Sequence, residues 1–357
     1  MAAQKLSFGE KVNLVVGGVG IAFSVLVGAV TNAFPGRSKA STYKLRFNLY
    51  FMRTFSRFLT ALQIQSITPG TEDNYKSTVQ ERSLQPNSVR FDDGTQGHWI
   101  GNSKAPVVLL FLHGGGYATY AQKGHFVLAS DLVSAAESKG GSLGILLVEY
   151  DLAPNATYPH QLRQAIHAYK YCVERLNIST SNILLAGDSA GGHLALGLLS
   201  HMTHPQDGLP KITAGVGHPS TMLISPWVTF DLSSNSMKAN RLKDCLSQPT
   251  LHTWSRNFLG QAPLDNYNFP LGAQRSWWSP MQDIDLFVIA GADEIFVDDI
   301  EQWVDNLKEA GLKPKYHRVE GEAHDEMIWS EGFGFGRPTS KSMFEDWVCS
   351  QVAKREK

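Results

Sequence analysis

The chain predicts an α/β fold, with a mostly parallel sheet covered by helices on both faces and a helical cap. Three observations carry this. From residue 105 onward, short apolar runs alternate with longer patterns that keep one apolar face, as strands and helices do in a doubly covered parallel sheet. The alternation fails once, between 227 and 283, over a stretch too long for an ordinary connection. The chain has 357 residues and is 43% hydrophobic, enough for a large core.

The N-terminus comes first. Residues 14–34 carry no formal charge. At about 1.5 Å per residue, such a helix reaches across a bilayer core of roughly 30 Å. Pro35 and Gly36 stop it, and Arg37, Lys39, Lys44 and Arg46 follow. Gly20, Ser24 and Gly28 recur every four residues and give a small-residue face suited to close helix contact. Segment 1–36 is therefore expected to be a single-pass membrane anchor, for example in the endoplasmic reticulum. A cleaved signal peptide and a helix lying on the cap of a cytoplasmic protein are the alternatives. Asn155 and Asn177 stand in glycosylation sequons, which bear only weakly on orientation.

Residues 37–104 are expected to form an N-terminal cap or lid and an edge region. Phe47, Tyr50, Phe51, Phe55 and Phe58 fall at helical spacings. Residues 66–105 are polar and broken by Pro and Gly, which predicts loops and an edge hairpin. The catalytic domain is expected over 105–357. Its strands are read at 107–112, 145–150, 183–186, 222–225, 286–290 and 316–319. Between them, Leu162, Ala165, Ile166, Tyr169, Val173 and Leu176 mark one helix. Ile300, Trp303, Val304 and Leu307 mark another, which ends at Gly311. Met343, Phe344, Trp347, Val348 and Val352 mark the last. Residues 228–283 read as a cap insertion above the edge of the sheet where ligands of open α/β sheets bind.

A net charge of −1 gives no basic field for nucleic acid. Cys172, Cys245 and Cys349 are widely spaced, which argues against structural zinc and a disulfide framework.

Two motifs carry chemistry. The run 183–186 leads into Gly187-Asp188-Ser189-Ala190-Gly191-Gly192 and then a helical pattern. A serine between glycines where a strand turns sharply into a helix is a nucleophile elbow. Earlier, the run 107–112 leads into His113-Gly114-Gly115-Gly116. Its bare backbone would bring N–H donors close to that serine, as an oxyanion hole requires. A serine hydroxyl needs a base. Of twelve histidines, His324 stands just past the last strand run, in Gly321-Glu322-Ala323-His324-Asp325. His113 is expected to hold its loop through backbone contacts, and His193 lies in the helix after the elbow.

His-Gly-Gly-Gly followed by Gly-Asp-Ser-Ala-Gly-Gly resembles the hormone-sensitive-lipase-like branch of the α/β hydrolases. Tyr150-Asp151-Leu152-Ala153-Pro154, Tyr158-Pro159 and Ile224-Ser225-Pro226-Trp227 resemble further segments of that branch. The likeness covers roughly 105–350 and departs from the commoner pattern at Asp151 and Asn155. With its apolar N-terminus, the chain also looks like membrane-anchored sterol-ester deacetylases and related fungal-type esterases.

The resemblance implies a carboxylic ester hydrolase with Ser189 as nucleophile and His324 as base. The family's acid pattern, matched on Phe296 and Asp298, places the orienting acid at Glu294; Asp293 is the other register. The remaining acids, Asp298 and Asp299, are expected to cap the helix through Ile300. Backbone N–H groups of Gly115, Gly116 and Ala190 would hold the oxyanion, with His113, Gly114, Gly187, Asp188 and Gly191 in support. The expected partner is a lipophilic ester, with no metal or cofactor and no nucleic acid. An amidase, a lactonase, an acyltransferase and a non-catalytic ligand-binding protein on the same fold are the other readings.

Overall fold

The computed structural model describes residues 6–31, 42–212 and 217–356. Part of the apolar stretch, residues 32–34, and the stop at Pro35, Gly36, Arg37 and Lys39 lie outside them.

Eight strands form one sheet: β1 Ser88–Arg90, β2 Gln96–Gly101, β3 Val107–Leu112, β4 Leu143–Glu149, β5 Ile183–Asp188, β6 Ser220–Ile224, β7 Leu286–Gly291 and β8 Lys315–Val319. Their order is β1-β2-β4-β3-β5-β6-β7-β8. The β1–β2 hairpin is antiparallel, as is β2 against β4; every later pairing is parallel. In β3, Leu109 sits opposite Ile145 on one side and Leu184 on the other. Every residue of β3, β4 and β5 is buried. Strands covered on both faces read as continuous apolar runs for this reason.

The helices are α1 Phe8–Thr31, α2 Tyr43–Phe58, α3 Ala61–Ile67, α4 Thr71–Glu81, α5 Lys123–Ser138, α6 His160–Lys170, α7 Ala190–Thr203, α8 Asn235–Ala239, α9 Gln248–Leu259, α10 Arg275–Trp278, α11 Val297–Glu309, α12 Glu326–Trp329 and α13 Thr339–Arg355. Alternate strand residues divide into two cores. Val107, Leu109 and Phe111 pack with α5 and α13 on one face. Val108, Leu110 and Leu112 pack with α6, α7, α11 and the cap on the other. The period of two in side-chain direction makes this division.

Three sequence expectations change. The sheet starts with β1 and β2, before residue 105. Residues 66–105 hold the expected hairpin but also α4. That helix, TEDNYKSTVQE, buries only the stripe Thr71, Tyr75, Thr78 and Val79. Its polar composition hid so narrow an apolar face. Asp298 and Asp299 do not cap α11, whose N-cap is Phe296. Asp298 Oδ2 instead accepts from Ser236 N at 2.8 Å, and Asp299 Oδ2 from Ser234 Oγ at 3.1 Å. They fasten the cap helix α8 to α11.

The cap has two parts distant in sequence. Between β6 and β7 lie α8, α9 and α10; from the N-terminus come α1, α2 and α3. The α1 helix lies along α2. A Cβ on Gly20 would stand 2.7 Å from the Phe58 ring, and one on Gly28 would stand 2.4 Å from the Tyr50 ring. Part of the small-residue face thus serves close packing against α2. The opposite face of α1 exposes Val12, Val15, Val19, Phe23, Leu26 and Val30. By length and composition α1 can cross a membrane.

Candidate active site

The loops that follow β3, β5, β7 and β8 meet at the C-terminal edge of the sheet. They bring His113–Gly116, Ser189, Glu294 and His324 to one place, where ligands of open α/β sheets bind.

Ser189 has φ 49° and ψ −115° between β5 and α7. A non-glycine residue rarely adopts this conformation, and the surroundings must hold it there. Ser189 N donates to Ile224 O at 2.8 Å, while Ser189 O accepts from His193 N and Trp227 N, each at 3.0 Å. Gly187 and Gly191 face each other across the turn, with a Cβ on Gly187 standing 2.4 Å from Gly191 C. A Cβ on Gly191 would lie 1.9 Å from Leu112 O. The helix can start this close to β3 only because residue 191 has no side chain.

Asp188 ties the elbow to the preceding loop. Its Oδ1 accepts from Gly114 N at 2.9 Å, and its Oδ2 from His125 Nε2 at 3.1 Å. His113 Nδ1 hydrogen-bonds Gly114 O at 2.7 Å, and its ring stacks on Tyr150. Burial drops the His113 imidazole to about 3. His113 thus holds the loop as a neutral ring. Among the described residues, the N–H groups of Gly115, Gly116 and Ala190 donate to no protein acceptor. Gly116 has a second use. A Cβ there would stand 2.0 Å from the Trp254 ring, so its absence lets α9 close over the loop.

His324 is buried, with Glu294 on one side and Asp325 on the other. Nδ1 lies 3.2 Å from Glu294 Oε2. Nε2 lies 3.1 Å from Asp325 Oδ2. Among the described residues, Ser189 Oγ makes no hydrogen bond to His324. Burial raises the Glu294 carboxyl above its ordinary range, with His324 opposing. Asp293, the other register for the acid, points elsewhere and pairs with Lys243 Nζ at 2.8 Å.

Two buried residues of the cap insertion hold these loops, Asp244 both of them and Asn240 the one after β7, and sequence reasoning missed them. Asp244 Oδ2 accepts from Ile295 N at 2.6 Å, and its Oδ1 from His324 N at 3.3 Å. Asn240 Nδ2 donates to Ala292 O and Glu294 O. Arg53 of α2 donates in turn to Asp244 O. His125, on the unforeseen helix α5, was missed too. No local motif marks these residues, because their partners are remote in sequence. His193, within α7, bonds Tyr117 Oη at 2.6 Å and Asn268 O at 2.9 Å and takes no part in the Ser189–His324 group.

Ser189, His324, Gly115 and Gly116 line one cavity of about 580 Å³. Its walls include Phe51, Met52 and Phe55 of α2, and Leu246, Leu251 and Trp254 of the cap insertion. Among the described residues no group of three or more His, Cys, Asp or Glu side chains is placed to hold a metal.

A serine held in a strained turn, a buried carboxylate–imidazole pair and unengaged backbone donors around one cavity define the α/β hydrolase arrangement. Residues 109–328 match the family model for the α/β hydrolase fold, and the chain belongs to that family. It is 30% identical over 223 residues to a candidate steryl acetyl hydrolase of Schizosaccharomyces pombe. That match covers 58% of this chain, and the chain spans about half of that relative, 55%. An esterase of Acinetobacter venetianus is 24% identical over 271 residues, covering 75% of this chain and 82% of that one. In fold, the chain is similar to a crystallised esterase of the bacterial hormone-sensitive lipase family, with a TM-score of 0.63 and 23% identity. That likeness covers 88% of this chain and 99% of the other.

Proposed function

We propose that the chain hydrolyses a carboxylic ester of a lipophilic small molecule through an acyl-enzyme on Ser189. The observation that carries this reading is that His324, paired with the buried Glu294, lines the same cavity as Ser189. His324 takes the Ser189 proton as Oγ attacks the carbonyl carbon, and Glu294 orients the ring through Nδ1. The N–H groups of Gly115, Gly116 and Ala190 hold the negative oxygen that forms. His324 then protonates the leaving alkoxide, and water repeats the sequence to release the acid. The relatives named as an esterase and a steryl acetyl hydrolase support ester cleavage. The apolar walls contributed by α2 and α9 support a lipophilic substrate.

The same reading places the protein at a membrane through α1. A single-pass anchor is one arrangement. The packing of Gly20 and Gly28 against α2 favours another, in which α1 lies in the interfacial plane beside α2. Crossing the bilayer in that packing would draw Arg53 and Arg57 toward the hydrocarbon.

One experiment tests substrate and membrane together. The full chain and a chain lacking residues 1–36 are fractionated and assayed on p-nitrophenyl esters from acetyl to palmitoyl. The full chain is expected to sediment with membranes. The truncated chain is expected in the supernatant with its acetyl-ester activity kept. A full chain that stays in the high-speed supernatant without detergent overturns membrane association. No ester of the series being cleaved overturns the esterase reading.

A further inference from the structure

The mechanism leaves Asp325 unused, yet its carboxylate lies 3.1 Å from His324 Nε2. Asp325 follows the proposed base directly and has φ 52° and ψ 32°, the left-handed region. That backbone turns its carboxylate back onto the His324 ring, where Oδ2 reaches Nε2 at 3.1 Å. Nε2 is the atom that must receive the Ser189 proton. The other oxygen, Oδ1, is buried with no hydrogen-bond partner, and Asp325 lines the active-site cavity. Its surroundings are acidic for a buried group. Asp188 stands at the end of β5, Glu294 after β7, and Asp244 with Cys245 in the cap. His324 and His125 of α5 are the bases nearby.

We propose that Asp325 is a latch on the general base: at rest its carboxylate occupies His324 Nε2, and the site becomes active when the pair gives up the proton it shares. This rests on the reading of Ser189, His324 and Glu294 given above.

The proton count follows from the two contacts. Nδ1–H donates to Glu294. The 3.1 Å ion pair of Nε2 with Asp325 Oδ2 needs a second proton, on the ring or on the carboxyl. In either form the Nε2 lone pair is unavailable to Ser189. When that proton leaves through the cavity, a lone pair and a carboxylate face each other. The carboxylate then turns aside, and Nε2 is free to accept from Ser189 Oγ. Burial by itself would lower the His324 imidazole, but Asp325 first and Glu294 second hold it well above its ordinary value. Burial pushes Asp325 up to about 7, with His324 opposing and Asp188 adding to the rise. The direction is the one a shared proton requires.

The test is the pH profile of kcat/KM on p-nitrophenyl butyrate for the full chain, Asp325→Asn and Asp325→Gly. Asn and Gly both tolerate the left-handed backbone, so neither should strain the loop. Removing the negative charge lowers the imidazole, so the acidic limb moves to lower pH. A move of at least about one unit is expected, which raises activity at pH 6 about tenfold relative to each enzyme's own plateau. A limb in the wild-type position in either folded variant overturns the latch, even if the plateau falls. The unmodified chain supplies a second reading. Its rate of Ser189 labelling by a fluorophosphonate should show an acidic limb above the ordinary imidazole value of about 6.5. A limb at or below that value also overturns the proposal. Failure of the parent reading looks different: Ser189→Ala would keep its hydrolysis. With Ser189→Ala inactive and the Asp325→Asn limb unmoved, the latch alone fails.

Discussion

Among the described residues, a serine, a histidine and a glutamate come together at the candidate site and again at the edge of the sheet, but only the edge set is hydrogen-bonded throughout. In one, His324 links Glu294 toward the cavity that holds Ser189. In the other, at the antiparallel edge of the sheet, Ser88 Oγ lies 2.9 Å from His98 Nδ1, and His98 Nε2 lies 2.8 Å from Glu149 Oε2. The edge row has the tighter hydrogen bonds. What it lacks is the rest of a site. Ser88 sits in the exposed strand β1 and does not border the active-site cavity. His98 is buried between Tyr75 and Phe126. Ser189, by contrast, is pushed out of a strained turn beside unengaged backbone donors. Three residue types in a row are therefore a poor signature. A serine in a strained turn, unengaged backbone donors beside it and a cavity make the difference in the proposed reading.

The sharpest way to break this comparison is to remove each serine. Ser189→Ala should lower kcat on p-nitrophenyl acetate by a factor on the order of 10⁴ or more, and Ser88→Ala should leave it unchanged. Comparable losses in the two variants would mean that the edge row is catalytic. The acids come next. Glu294→Gln should cost orders of magnitude in kcat, and Asp293→Asn only a few-fold, because Asp293 faces Lys243. The reverse ranking would move the acid by one residue. The smallest kinetic effect belongs to the edge histidine. His98→Ala should leave kcat per folded molecule intact but reduce stability by about 2–4 kcal/mol, since Glu149 is left buried with no partner. Urea melts and active-site titration on one preparation separate these effects. A drop in kcat with unchanged melting would overturn the structural role.

Legibility followed locality. The strands β3 to β7 and the helices α11 and α13 could be read because each keeps its apolar run or period within a few turns or residues. The glycine motifs could be read because their reason is local too: a turn that leaves no room for a Cβ. The α4 helix escaped because Tyr75 and Val79 give it a buried stripe too narrow to stand out from polar neighbours. His125 and Asn240 escaped for another reason, since each hydrogen-bonds residues more than fifty positions away.

By itself the sequence determined the α/β layering, the elbow at Ser189 and the glycine loop before it. Backbone sterics and side-chain period act over neighbouring residues and are written in their order. Only the tertiary structure decided that Asp244 of the cap holds both loops and Asn240 the one after β7, and that Asp325 sits on Nε2; it turns Glu294, the register the resemblance favours, to His324 and Asp293 to Lys243. Those outcomes depend on where separate segments come together at the sheet edge. A carboxylate's partner is set by distance in space, and Asp244 carries no local sign of the two loops it meets once the chain has folded.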